Sequence, residues 1–159
     1  MNIWKSRKWM ELYTFKNSDK GIRLHFEKGV NDDVRGAIIR LVKWLRKQYY
    51  FPVRVNVYVK SSFWVKASDG DYVRDLFFWP EDRSCTPYIT IGVGDYEDWL
   101  KTRDRDDALA PIVLALLCEL TNYFNWVNGV EKDENSLQKS AWRYARKILN
   151  LYAEVYEHP

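Results

Sequence analysis

Between Ala108 and Cys118 the chain reads ALAPIVLALLC, with no charged residue and Pro111 as its one helix breaker. A helix formed by this run is apolar on every side, so other elements have to enclose it. The run is too short to cross a bilayer, which takes about 20 apolar residues. The same periodicity carries the helix on to about Val127, where Asn128-Gly129 closes it. Pro111 is expected in the first turn, where a missing N–H is tolerated. The chain has 159 residues, 47% of them hydrophobic. That suits one domain over 1–159 with a substantial core.

The segments before this helix alternate or repeat in recognisable ways. Glu11 to Lys16, a turn at 17–21 and Ile22 to Glu27 read as a β-hairpin, because Ile22, Leu24 and Phe26 alternate with Arg23, His25 and Glu27. Asn31-Asp32-Asp33 caps a helix whose apolar stripe is Val34, Ile38, Leu41, Val42, Leu45 and Tyr49. Lys43, Arg46 and Lys47 suit its C-terminal end, and Pro52 stops it. Val53 to Val59 has valine at every second position, which predicts a half-buried strand. A second hairpin is expected from Phe63 to Ala67, through Ser68-Asp69-Gly70, into Tyr72 to Trp79. Pro80 to Pro87 reads as a loop, Tyr88 to Val93 as a strand and Asp95 to Leu100 as a short helix. Lys101 to Asp107 reads as a charged connector, and a last helix covers about Ser136 to Tyr156. Strands come mostly first and two helices last. The expected class is α+β, with an N-terminal hairpin and helix, a mixed or antiparallel sheet, a central apolar helix and a C-terminal helix.

Several functions lack the residues they need. The N-terminal stretch MNIWKSRKWM has no apolar core, so no secretory signal is expected. Cys85 and Cys118 form neither a disulfide framework nor a Cys-based zinc module, and a cytoplasmic location without membrane association follows as the expectation. A site shared by Cys85 and Cys118 stays open. His25 falls on the wet face of its strand, and His158 lies next to the C-terminus. No Gly-rich phosphate loop is present.

Charge is uneven along the chain. Residues 1–66 hold 15 Lys and Arg against 5 Asp and Glu, whereas residues 67–159 hold 10 against 17. A basic N-terminal half that forms one face could meet nucleic acid or an acidic protein; if the halves interleave, the field cancels.

The most informative segment is Leu116 to Trp126, LLCELTNYFNW. Cys118 and Asn122 share a helical face, and Glu119 follows on a helix expected to be central. A buried carboxyl resists ionisation and needs a compensating group. The string resembles the zinc helix, H-E-x-x-H, of small zincin metallopeptidases of the ImmA/IrrE or SprT kind. Leu116, Leu117, Glu119, Leu120, Tyr123 and Trp126 match the pattern L-L-H-E-[LI]-x-H-Y-x-Q-W. Cys118 and Asn122 stand where the histidines belong, and Asn125 stands for the Gln. Downstream, Ser136 to Ile148 reads SLQKSAWRYARKI, similar to the helix S-L-E-x-E-A-x-x-x-A-x-x-I that supplies the third ligand in such families. Gln138 and Ser140 occupy its two glutamate positions, and the resemblance does not choose between them. It covers about residues 90–155.

The resemblance implies a zincin-like domain without its metal. Catalytic zinc takes three protein ligands and keeps a position open for water. The set here would be Cys118, Asn122 and Gln138 or Ser140. A thiolate binds zinc well, but neutral Asn, Gln and Ser are poor ligands. No metal and no cofactor are therefore expected, and no catalytic residue. Glu119 is expected to persist as a structural carboxyl bonded to Asn122, Gln138, Ser140 or backbone.

Three functions follow. The first is an inactive zincin-like protein that binds a protein partner, in the cleft beside an edge strand or through Trp4, Trp9, Trp64 and Trp79, for instance as a phage or mobile-element inhibitor of a host factor. Core packing is the competing reading of each of those tryptophans. The second is a nucleic-acid-binding protein, with Arg7 and Lys8 interleaved with Trp4 and Trp9 and with basic residues on the first and last helices. The third is a metallopeptidase with a non-standard metal site at Cys118 and Glu119. The exposed aromatics permit a homodimer.

Overall fold

The computed structural model describes residues 2–12, 20–131 and 133–155. In chain order its elements are α1 (Trp9–Leu12), β1 (Ile22–Phe26), α2 (Asp32–Gln48), β2 (Val55–Lys60), β3 (Val65–Lys66), β4 (Tyr72–Val73), β5 (Asp75–Phe78), β6 (Tyr88–Gly92), α3 (Tyr96–Trp99), α4 (Arg105–Val127) and α5 (Glu134–Val155). The class is α+β, built on a four-stranded mixed sheet in the order β1-β2-β6-β5. β1, β2 and β6 run parallel, and β5 runs antiparallel to β6 at one edge.

Parallel neighbours need a long crossover. Between β1 and β2 that crossover is α2. The Asn31 side chain accepts from the Asp33 N–H at 2.8 Å, and Asp32 and Asp33 sit in the first turn. Val34, Ile38, Leu41, Val42 and Leu45 are sealed from solvent. They meet one face of the sheet, where Ile22, Val55, Val57, Val59, Ile89 and Ile91 are also sealed. Each buried methylene contributes about 0.8 kcal/mol. This aliphatic layer therefore supplies much of the drive to fold.

The expected N-terminal hairpin is not formed as drawn. Glu11 belongs to α1, residues 13–19 lie outside the described residues, and Ile22–Phe26 pairs parallel with β2. Alternation in β1 specifies one buried face and leaves its partner open, and α2 carries the chain back to a parallel neighbour. The second hairpin reduces to β3 and β4, two residues each, before the chain leaves to form β5.

Helix α4 contacts α2, α3, α5, β5 and β6, as its all-round apolarity requires. It starts earlier than the apolar run suggests. The Asp104 side chain caps it by accepting from the Asp107 N–H at 2.8 Å. Pro111 therefore lies in the second turn, and the bond it forgoes would have gone to the carbonyl of exposed Asp107. With the added turn, α4 has the length and composition of a bilayer-crossing helix. Here its apolar surface is mostly buried inside the fold. Asn128 and Gly129, the latter at φ 74°, end it as expected.

Candidate functional site

α4, α5 and the edge strand β5 border a cleft of two adjoining hollows, each of about 650 Å³. Asp75 from β5, Cys118 from α4 and Trp142 from α5 line both. The i, i+4 spacing puts Cys118 and Asn122 on the same wall, with Glu119 beside them. In β5, the alternation of Asp75 and Phe77, continued by Trp79, turns these three toward the cleft. Gln138 comes from α5, so four of the five expected site positions meet in one hollow. Ser140 is half-buried and is not among the residues that line it.

Glu119 is 7% exposed. Its Oε1 accepts from Asn122 Nδ2 at 2.8 Å, and its carboxyl is hydrogen-bonded to that of Asp75. Burial, followed by the adjacent Asp75 charge, pushes Glu119 up to about 8, against the pull of the Asn122 bond. Burial also raises Asp75, opposed by its bond to Glu119 and by the Arg74 charge. Two carboxyls this close cannot both ionise cheaply, so at neutral pH the pair holds a shared proton. Cys118 is pushed up to about 12 by burial, then by Glu119 and Asp75. It is therefore a neutral thiol.

These donors do not fit catalytic zinc. Zinc takes thiolate, neutral imidazole or carboxylate. Here Asn122 and Gln138 are neutral amides, Asn122 turns its N–H donor to Glu119, and the Cys118 thiol is the one soft donor of the set. Among the described residues, no three His, Cys, Asp or Glu side chains group as a metal site.

The proposed surface anchors divide. Trp4 is 2% exposed, its Nε1–H donates to Thr121 Oγ1 at 3.0 Å, and its ring packs on Tyr49 and Phe124. Trp9 is also buried, and its backbone N–H donates to Asn128 Oδ1 at 3.2 Å. Both are core residues, which corrects their reading as interface anchors. Arg7 and Lys8 are exposed beside them. Trp64 is well exposed, and Trp79 is half-buried on the cleft wall. Arg46 is engaged internally, donating to the Ile22 carbonyl at 2.7 Å. His25 is exposed and 3.0 Å from Asn56 Oδ1 through Nε2. His158 lies outside the described residues.

Sequence reasoning missed Asp75. The signal for it was a lone carboxylate at a core-facing position, opposite Ile91 in the ladder, in an otherwise apolar strand DLFF. It also missed Trp142, half-exposed on the opposite wall. Comparison with protein-family models, curated proteins and solved structures gives no match to this chain.

Proposed function

We propose that this chain is a zincin-like domain in which a proton-sharing cluster has taken the place of the metal, and that it binds an extended segment of a protein partner along β5 without cleaving it. The observation that carries this reading is the state of Glu119. A catalytic carboxylate must accept a proton from water. This one is 7% exposed, accepts from Asn122 at 2.8 Å and lies beside Asp75, and burial pushes it toward its protonated form.

Two features support the binding half. β5 closes one edge of the sheet, so one side of its backbone faces away from the ladder. An extended peptide can add there as a further strand, with side-chain pockets giving specificity. Phe77, Trp79 and Trp142 provide such pockets beside the strand.

A displayed library of random 12-residue peptides, selected on the full chain, tests the reading. Enriched peptides are expected to slow amide exchange at 75–78. They should lose at least tenfold in affinity on Trp142→Ala, a half-exposed residue whose loss leaves the core intact. Repeated selection without enrichment, or protection confined to other elements, would overturn it.

A further inference from the structure

The face of the sheet turned away from α2 and α4 has its own organisation. The ladder places its outward side chains in two rows across the four strands. One row is Arg23, Asn56, Tyr88 and Phe78. The next is His25, Tyr58, Thr90 and Leu76. Four rings touch in succession from β1 to β5. His25 stacks on Tyr58 at 4.9 Å between centroids, Tyr58 meets Tyr88 edge-on at 6.1 Å, and Tyr88 stacks on Phe78 at 5.0 Å. The three phenyl and phenol rings are half-buried and His25 is exposed.

Within the two rows the one charged side chain is a cation, Arg23. Neither row contains a carboxylate. Exposed Arg23 stands in the first row at one end, and Lys60, 3.6 Å from Glu27, closes β2 at the other end. The nearest carboxylate along β1 is Glu27, which is taken up by Ser61 at 2.7 Å and by Lys60 at 3.6 Å. A face for an apolar protein partner does not need cations at both ends of a ring ladder. An anionic polymer with flat, unpaired bases needs both.

We propose that this face binds single-stranded RNA, with bases stacked along the His25–Tyr58–Tyr88–Phe78 ladder and phosphates drawn by Arg23 and Lys60. Asn56 lies half-exposed among the rings and offers a hydrogen bond to a 2′-hydroxyl, which DNA lacks. The segment Ser62–Phe63 bounds the face at Gly92, where a Cβ would stand 2.5 Å from the Phe63 carbonyl oxygen. The surface lies across the sheet from the cleft, so it stands or falls independently of peptide binding at β5.

Fluorescence anisotropy with labelled U12, dT12 and a 12-base-pair RNA duplex tests it, at 50 and 200 mM NaCl. U12 is expected to bind the full chain at least tenfold more tightly than the duplex, and more weakly as salt rises. Tyr58→Ala and Tyr88→Ala should each cost about tenfold or more. Arg23→Glu, at an exposed position that leaves the rings in place, should weaken binding and flatten the salt dependence. Sedimentation velocity on the same samples reads self-association. Three results would overturn the proposal: no U12 binding up to 100 µM at 50 mM NaCl, U12 binding unchanged in folded Arg23→Glu and in the tyrosine variants, or a dimer dispersed by Arg23→Glu. Equal affinity for dT12 would overturn the choice of RNA.

Discussion

Glu119→Gln keeps the shape of the side chain and removes its titration. Oε1 still accepts from Asn122, and the new amide N–H can donate to Asp75 in place of the shared proton. The wild-type protein folds with Glu119 protonated up to about 8, whereas the unfolded chain releases that proton near 4.5. Within that window the folded state binds more protons, so stability falls as pH rises. The contribution of the protonated pair is fully present below about 4.5 and is lost as pH rises through about 8. A proton that the fold holds across one pH unit beyond its release from the unfolded chain is worth about 1.4 kcal/mol. Between pH 5 and 8 the wild-type protein should thus lose about 3 kcal/mol that the Gln variant keeps. Urea unfolding of both proteins at pH 5 and pH 8, followed by tryptophan fluorescence, measures the difference directly. The variant should gain on the wild type by that amount at pH 8. A difference that stays constant with pH would show that Glu119 ionises normally in the fold. A variant that loses ground at pH 8 would show that the fold favours the charge. Either result refutes the proton-sharing cluster.

Three further outcomes follow from the same geometry. Cys85 is exposed, whereas Cys118 is half-buried and held as a neutral thiol. Ellman's reagent at pH 8 should therefore titrate one thiol fast and one slowly, and Cys85→Ser should remove the fast phase. Trp4→Ala should destabilise the protein by about 3–5 kcal/mol in urea unfolding, as for a large buried aromatic. Exposed Trp64→Ala should stay within about 0.5 kcal/mol. Combining Cys118→His, Asn122→His and Gln138→Glu with Asp75→Asn should create a site that retains one zinc per chain by elemental mass spectrometry. A folded variant that takes up no zinc would count against the zincin likeness.

Parts of this fold were legible because they are local. The cap at Asn31 and the stripe from Val34 to Leu45 lie within one helix. The alternating valines from Val55 to Val59 lie within one strand. Each is a statement about neighbours along the chain, and each holds in the structure. The misread parts depended on partners. Trp4 looked available because it sits among Lys5, Arg7 and Lys8, yet its partner is Thr121, at the far end of the chain. The start of α4 was placed late because apolarity begins at Ala108, whereas the helix begins at the Asp104 cap.

The candidate site shows the same division. Cys118, Glu119 and Asn122 are one helical turn, so their shared wall follows from spacing. Gln138 and Ser140 could not be separated from sequence, and the packing of α5 on α4 brings Gln138 into the cleft. Asp75 became relevant when β5 paired antiparallel to β6 and turned that carboxyl toward Glu119. By itself the sequence determined that a helix around Leu116 must be enclosed and which faces of β1 and β2 are buried. Periodicity reports burial residue by residue. The tertiary structure decided which strands are neighbours, that two carboxyls come together, and that four rings line up across the open face. Those depend on contacts between residues far apart in the chain, which alternation and spacing do not encode.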